Sequence, residues 1–285
     1  MTVKYVTEEE WDFLIILDAC RYDFFKDNYE DFFEFGDLYK VESPAIETIE
    51  WAEKNFKGKY DDMIYISTTP FINSKKSVRQ RGYFFDGKKH FFKVIDVWDV
   101  GWDDNIQTVR PKTVNKFFEK EFEKHSDKRF ILHYMQPHAP YLSLEEIYSK
   151  HDESYKKVKE HNEKNKIFEK IKKVLLPFFM KTFGTEIIWK LNKIFGFRQV
   201  LPPHMEMAWR LIGKEGLKKA YIENLRITLK NVKDLVEKMD GKIVITADHG
   251  ELLGENGFFG HGPPLPRHKK LITVPWLIIE KNNKI

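Results

Sequence analysis

Short apolar runs alternate with amphipathic helical patterns along this chain of 285 residues. Runs of this length that are apolar on both faces are typical of parallel strands covered by helices. The apolar runs are 13–17, 63–66, 129–134, 242–246 and 273–279, and the helical patterns are 44–56, 109–125 and 216–239. Strands that alternate with helices predict a doubly wound α/β sheet. The length suits one domain of this kind, with a core of ample size.

Charge and cysteine content exclude several classes of protein. Lys and Arg number 48 against 44 Asp and Glu, and a net charge of +4 gives no case for a nucleic-acid partner. The single cysteine, Cys20, excludes a disulfide framework or a cysteine zinc site and suits a reducing compartment. The first residues are too polar for a secretory signal, and no apolar run is long enough to span a bilayer. We therefore expect a cytoplasmic protein, with the inner face of the membrane as an alternative.

Metal-binding residue types follow two of the predicted strands. In doubly wound sheets, ligands bind beyond the carboxyl ends of the strands. Asp18 follows the first strand, and Asp248 and His249 follow the strand at 242–246. A carboxylate directly after a buried strand is costly unless it is paired or binds a metal, although a helix cap is the alternative for Asp18. Adjacent Asp and His offer oxygen and nitrogen ligands to one divalent cation.

Two further histidines are candidates for the same edge of the sheet. His138 lies between prolines after the strand at 129–134, and His261 belongs to a glycine-rich loop that can fold back over the site. Glu251 is either a partner of the metal ligands or an acidic residue in the first turn of a helix. His133 lies inside its strand, which favours a hydrogen-bonded core histidine over a ligand.

Taken together, these motifs resemble the alkaline phosphatase superfamily, in its sulfatase-like branch. The resemblance rests on Asp18 after the first strand, on the segment 248–255, on the stretch 133–141 and on the strand at 274–279. It implies a three-layer α/β/α sandwich with a mostly parallel sheet in a single domain, 1–285. It also implies hydrolysis or transfer at a phosphate or sulfate ester through a covalent intermediate.

The resemblance also implies roles for these residues. Asp18, Asp248 and His249 would bind one divalent metal, and His138 and His261 would bind a second metal or the oxyanion of the substrate. Zinc or manganese suits a mixed Asp and His ligand set. One metal is the firmer expectation, with two as the alternative, because Gln136 stands where members with two metals carry an Asp. We expect no organic cofactor.

The nucleophile of this family lies between the first two strands, near the start of a helix. A helix start offers N–H groups and a positive dipole to a phosphate. Thr48 is our first candidate and Ser43 the second, while Thr68, Thr69 and Asn73 are expected to line the substrate pocket. A formylglycine sulfatase is not expected, because the only cysteine lies too early in the chain and no serine supplies the required pattern.

Arg21 and a basic insertion complete the candidates. Arg21 either clamps a phosphate oxygen or forms a salt bridge with Asp23. We expect residues 150–212 to form a helical insertion or lid. Within it, residues 164–198 combine apolar helical faces with many lysines, which is also typical of helices that bind membrane surfaces. The lid is favoured, and a peripheral membrane contact is compatible with it.

The sequence thus predicts a metal-dependent hydrolase or transferase that acts on a phosphate mono- or diester through a covalent Thr or Ser intermediate. The substrate would be a small molecule or a lipid- or glycan-linked phosphate ester. A sulfate-ester hydrolase without formylglycine is one alternative. A non-catalytic protein that binds membrane surfaces or glycans on the same fold is the other.

Overall fold

The computed structural model describes residues 1–148, 180–182, 184–194 and 203–281. These residues form the following strands: β1 Phe13–Leu17, β2 Asp37–Glu42, β3 Tyr60–Ser67, β4 Val78–Gln80, β5 Tyr83–Phe85, β6 Phe91–Asp96, β7 Trp102–Asp103, β8 Thr108–Val109, β9 Arg129–Tyr134, β10 Gly241–Thr246, β11 Leu252–Glu255, β12 Phe258–Gly260 and β13 Thr273–Lys281. Their helices are α1 Tyr22–Lys26, α2 Thr48–Asn55, α3 Gly87–His90, α4 Val97–Val100, α5 Pro111–Phe122, α6 Thr185–Ile194, α7 Pro203–Val236 and α8 Lys269–Ile272. Short 3₁₀ turns lie at Val6–Glu8, Tyr29–Asp31 and Leu142–Leu144.

Seven of these strands form one sheet in the order β2-β13-β10-β1-β9-β3-β6. The five strands from β10 to β6 are parallel, whereas β13 and β2 join at one edge in antiparallel orientation. In the register of the sheet, Ile16 lies opposite both His133 and Thr246. The residues that follow β1, β9 and β10 therefore emerge together at one edge of the sheet.

Helices cover both faces of this sheet. Phe130 of β9 packs edge-on against Phe118 of α5, with ring centroids 5.1 Å apart. His133 lies on the opposite face, since side chains alternate along a strand, and its ring contacts Trp51 of α2 at 6.2 Å. The α/β sandwich with a mostly parallel sheet, predicted from the apolar runs, is confirmed. All five predicted strands are present, while β2 and β6 were not predicted.

Helix boundaries differ from the predictions at two places. The pattern at 44–56 predicted a helix that begins at residue 44, but α2 begins at Thr48. The Ser43 hydroxyl donates instead to the backbone carbonyl of Asp248 and accepts from the amide of Ala45 at 3.2 Å, which holds residues 44–47 outside the helix. The second difference is in α7, which is two helices joined at Gly213, where φ is 71° and the backbone is not helical.

The predicted insertion falls only partly within the described residues. Its residues 150–179, 183 and 195–202, including Phe178 and Phe179, lie outside them. Helix α6 packs on the main domain through Trp189, which is fully buried between Trp209 and Phe259, with ring centroids 5.7 and 4.8 Å away. Within the described part of the chain, we find no helix that is both long and apolar enough to cross a membrane.

Candidate active site

Three predicted metal ligands meet where β1 and β10 end. Nε2 of His249 lies 3.4 Å from Oδ2 of Asp248 and 3.7 Å from Oδ1 of Asp18. All three side chains are buried, and each contributes one ligand atom to a group that lies within 4.8 Å. The backbone at Gly250 lies close to that of Lys270, and only glycine fits there, because a Cβ would lie 2.0 Å from the carbonyl oxygen of Lys270.

The hydrogen bonds around this cluster leave ligand atoms without partners. Nδ1 of His249 donates to the carbonyl of Gly250 at 2.9 Å, which leaves Nε2 as the lone-pair nitrogen. That Nε2 and Oδ1 of Asp18 are buried without a hydrogen-bond partner. Burial keeps the pKa of His249 below its usual value, so the imidazole is neutral, which is the form that binds metals. A divalent cation therefore fits this group of atoms.

The electrostatics of the two carboxylates lead to the same conclusion. Burial, and then the charges of Asp248 and Glu251, raise the pKa of Asp18 well above its usual value. Two buried carboxylates this close repel each other unless a proton or a cation lies between them. The donor set of two carboxylates and one imidazole suits zinc or manganese.

A second group of ligand types lies beside the first. It consists of His138, Glu251 and His261, whose ligand atoms lie within 4.8 Å of one another. Nδ1 of His261 donates to Oε1 of Glu251 at 3.0 Å, while Oε2 of Glu251 and Nδ1 of His138 are buried without a partner. The ring of His261 is 4.2 Å from that of His249, so the two groups adjoin. The loop that carries His138 is held by Asn224, whose amide donates to the carbonyls of Pro137, His138 and Pro140.

Glu251 was not among the predicted ligands. No helix begins at this residue, since β11 follows it directly, so the first-turn alternative is wrong. Burial raises the pKa of Glu251 to about 7 and lowers those of His138 and His261 to about 4. Gln136 donates to the carbonyl of Val109 at 3.1 Å and belongs to neither group, while Glu251 is the carboxylate of the second group.

The two candidate nucleophiles contact different atoms of Asp248. Thr48 is the first residue of α2, and its hydroxyl donates to Oδ2 of Asp248 at 2.8 Å. Ser43 contacts only the backbone carbonyl of Asp248. Thr48 also lines the cavity described below, whereas Ser43 does not. The geometry thus favours Thr48 as the hydroxyl beside the ligand cluster.

Arg21 and Asn73 are bonded to groups of the protein itself. The guanidinium of Arg21 forms the salt-bridge alternative, with bonds to Asp23 at 2.6 and 3.0 Å and to Glu255 at 2.7 Å. Nothing in the sequence indicated Glu255 as its partner. The amide of Asn73 is satisfied within its own loop, because it donates to the carbonyl of Pro70 and accepts from the amides at 75 and 76. We therefore replace the phosphate clamp and the pocket contact with structural roles.

His133 and Cys20 behave as core residues, as predicted. Nδ1 of His133 contacts the hydroxyl of Tyr65 at 2.7 Å, and burial lowers the pKa of His133 to about 4. Its Nε2 has no hydrogen-bond partner and lies 3.8 Å from Asp248 and 4.0 Å from Asp18. Cys20 is fully buried, and burial raises the pKa of its thiol well above the usual value, which disfavours the reactive thiolate.

A cavity of about 260 Å³ opens over Thr48, His138 and His261. Its walls are largely apolar and include Phe71, Met180, Phe259 and Leu265. Two charged residues, Glu47 and Arg81, also line it, and neither was singled out by the sequence. A reacting group at Thr48 would therefore lie against the polar side chains of His138 and His261 and be surrounded by apolar walls.

Most of this chain matches a known protein family. The family model described as Sulfatase matches residues 55–284. The chain belongs to the sulfatase family. The predicted membership of the alkaline phosphatase superfamily, in its sulfatase-like branch, is confirmed, and so is an enzyme family. Asp18 and Thr48 lie ahead of the matched range, whereas His138, Asp248, His249 and His261 lie within it. A comparison with curated proteins found no match.

Solved structures share the fold of this sulfatase-family chain. One is the integral membrane lipooligosaccharide phosphoethanolamine transferase A (EptA) from Neisseria meningitidis, with a TM-score of 0.57, 12% identity, and coverage of 99% of this chain and 48% of that one. Another is the C-terminal periplasmic domain of EcEptC from Escherichia coli in complex with Zn, with a TM-score of 0.52, 14% identity, and coverage of 98% and 75%. The chain thus spans about half the length of EptA.

Proposed function

We propose that this sulfatase-family protein is a metal-dependent hydrolase or transferase of phosphate esters, with Thr48 as the covalent nucleophile. One observation carries the proposal. The Thr48 hydroxyl is bonded to a carboxylate of the Asp18, Asp248 and His249 cluster, at the first turn of α2. The first N–H groups of a helix have no partners within it and point toward an anion. The attacked phosphoryl group would lie between these N–H groups and the cluster.

The reaction would proceed in two displacements. Thr48 gives its proton to Oδ2 of Asp248, and its oxygen bonds to phosphorus as the bond to the first alcohol breaks. The departing alkoxide takes up a proton from solvent and leaves as the alcohol. Water or a second alcohol then attacks the same phosphorus and releases Thr48, which gives hydrolysis or transfer. A divalent cation bound by Asp18, Asp248 and His249 would lower the pKa of the hydroxyl and share the negative charge of the phosphoryl oxygens. Zinc and manganese are the proposed metals.

The second group, His138, Glu251 and His261, is proposed to hold a second cation or the leaving oxygen. Its unpartnered Nδ1 and Oε2 atoms support the first role, and its position on the floor of the cavity supports both. The apolar wall favours an ester with an apolar alcohol moiety, such as a lipid-linked phosphate. The structural neighbours EptA and EcEptC, named as phosphoethanolamine transferase and as a Zn complex, agree with a metal-dependent phosphoester transferase.

A panel of substrates and metals tests this proposal. Phosphate monoesters, phosphodiesters and sulfate esters would be assayed with the metal-free protein and after separate addition of Zn²⁺, Mn²⁺, Mg²⁺ and Ca²⁺. We expect turnover of phosphate esters that depends on Zn²⁺ or Mn²⁺. Turnover of sulfate esters alone would support the sulfate-ester alternative. No turnover together with no bound metal would support the non-catalytic alternative.

A further inference from the structure

The hairpin β4–β5 reaches the cavity at its tip. Gln80 and Tyr83 pair across a two-residue turn made by Arg81 and Gly82, with φ of 52° and 93°. Glycine and asparagine are the usual residues for such turns, because positive φ is costly for a longer side chain. Arg81 nevertheless occupies the first turn position, and its side chain lines the cavity together with Thr48, His138 and His261.

Three glutamates, one directly before α2 and two within it, hold this hairpin on the helix. Glu47 accepts from Nη1 of Arg81 at 2.5 Å, Glu50 from the hydroxyl of Tyr83 at 2.9 Å, and Glu53 from the amide of Phe84 at 2.9 Å. A spacing of three residues places side chains on the same face of a helix. Since Glu47 directly precedes Thr48, these contacts fix Arg81 next to the start of α2. The fold therefore holds Arg81 in place at the cavity.

The ion pair lies tightly against the loop that carries His261. A Cβ at Gly262 would lie 2.6 Å from Nη1 of Arg81 and 2.9 Å from Oε2 of Glu47. Glu47 is 5% exposed and its Oε1 has no hydrogen-bond partner, while Arg81 is 40% exposed toward the opening.

The charge of the site calls for a cation at this place. Four carboxylates belong to the site: Asp18, Asp248 and Glu251 are members of the two ligand groups, and Glu47 lines the cavity. Arg21 is held by Asp23 and Glu255, so it is not available to a ligand. Among the described residues that line the cavity, Arg81 is the one Lys or Arg side chain. A planar guanidinium matches two oxygens of a phosphoryl group.

We propose that Arg81 binds the phosphoryl group that Thr48 attacks, and that Glu47 positions the guanidinium for this contact. The inference rests on the proposed function of the site and adds a residue to it. Arg81 takes the role that the sequence had suggested for Arg21. Glu47 keeps one edge of the guanidinium in place, and the remaining N–H groups face the ligand.

Inorganic phosphate is the probe for a direct binding test. Its dissociation constant would be measured by calorimetry on zinc-loaded wild type, Arg81→Gln, Arg81→Lys and the control Arg79→Gln. Arg79 lies on the same hairpin, is exposed, and stacks on Phe84 at 5.1 Å outside the cavity. We expect Arg81→Gln to weaken phosphate binding by about 10-fold or more, since hydrogen bonds from a charged group contribute about 1.5–3 kcal/mol. Arg81→Lys should be intermediate, and Arg79→Gln should stay within about twofold.

Kinetic measurements distinguish contact of Arg81 with the transferred phosphoryl group from contact with an anionic group elsewhere on the substrate. In Arg81→Gln, kcat should fall by roughly 100-fold or more, as on removal of one donor to the reacting group. Glu47→Gln should lower kcat in the wild type but cause little further loss in Arg81→Gln, because the two residues act as one unit. Unchanged phosphate binding and kcat in a folded, zinc-loaded Arg81→Gln would overturn the proposal. If wild type itself binds no phosphate, the proposed function fails instead.

Discussion

The substitution Asp18→Asn should stabilise the metal-free protein while it abolishes metal-dependent activity. Ligand atoms of Asp18 and Asp248 lie within 4.8 Å of each other, and both are buried. Two like charges at that separation repel by about 3 kcal/mol at an effective dielectric constant of about 20. An asparagine removes this repulsion, and its amide can donate to the unchanged carboxylate. The free energy of unfolding without metal should therefore rise, by up to about 3 kcal/mol.

Zinc should reverse the order of the two proteins. A ligand that binds only the folded state at 1,000 times its dissociation constant adds about 4.1 kcal/mol to the free energy of unfolding, which exceeds the gain expected for metal-free Asp18→Asn. Wild type should gain this stabilisation, and Asp18→Asn should gain little of it. Urea unfolding with chelator and with added Zn²⁺ measures both effects. Relative to wild type, Asp18→Asn should have a higher free energy of unfolding with chelator and a lower one with Zn²⁺, so the two measurements should differ in sign.

Asp23→Asn is the matched control, because Asp23 forms salt bridges rather than facing another carboxylate. Despite its burial, hydrogen bonds and charge from Arg21, followed by those from Lys270, lower the pKa of Asp23 to about 2. A lowered folded pKa stabilises the protein above the usual carboxyl pKa, and this contribution is lost as pH falls toward 2. Asp23→Asn should therefore destabilise the metal-free protein near neutral pH. A fall in the metal-free stability of Asp18→Asn would refute the repulsion argument.

Three other substitutions test separate parts of the site and surface. Glu251→Gln should lower the zinc content per chain, measured by atomic absorption, and retention of the wild-type content would remove Glu251 from the ligands. Cys20→Ala should fold and keep most of its activity, because the buried thiol is only a packing residue; loss of turnover with intact metal content would contradict this. Ile187, Leu191 and Ile194 form an exposed stripe on α6, at 44%, 46% and 74% exposure. If this stripe binds membranes, the protein should still sediment with anionic vesicles at high salt, and changing all three residues to Ser should abolish that sedimentation. Absence of wild-type binding to vesicles at low salt would contradict the membrane prediction.

The sequence predicted the parts of the site that depend on the sheet. Asp18, Asp248 and His249 follow strands whose apolar runs are unmistakable, and parallel strands bring their carboxyl ends to one edge. The orientation of His261 relative to Glu251 depends on how the chain turns through β11 and β12, and no periodicity encodes that turn. Edge strand β2 was missed for a related reason, because only one of its six residues is buried and it lacks an apolar run.

Contacts between distant loops were beyond the sequence. The position of Arg21 after Asp18 left both a phosphate clamp and a salt bridge with Asp23 open, but the sequence did not indicate that Glu255 approaches it from more than 200 residues away. Arg81 is the converse case, since nothing around it in the sequence indicates that Glu47 draws it to the cavity. Two further expectations, a cytoplasmic location and a lid over 150–212, stay predictions.

Trapping of a phosphoryl group on Thr48 tests the central claim most directly. Wild type and Thr48→Ala would be loaded with zinc, incubated with a turned-over phosphate ester, quenched in acid and analysed by peptide mass spectrometry. We predict a phosphoryl group on the peptide that contains Thr48 in wild type, assigned to that residue by fragmentation, and neither label nor turnover in Thr48→Ala. A phosphoryl group on Ser43, or full turnover in Thr48→Ala, would contradict the account.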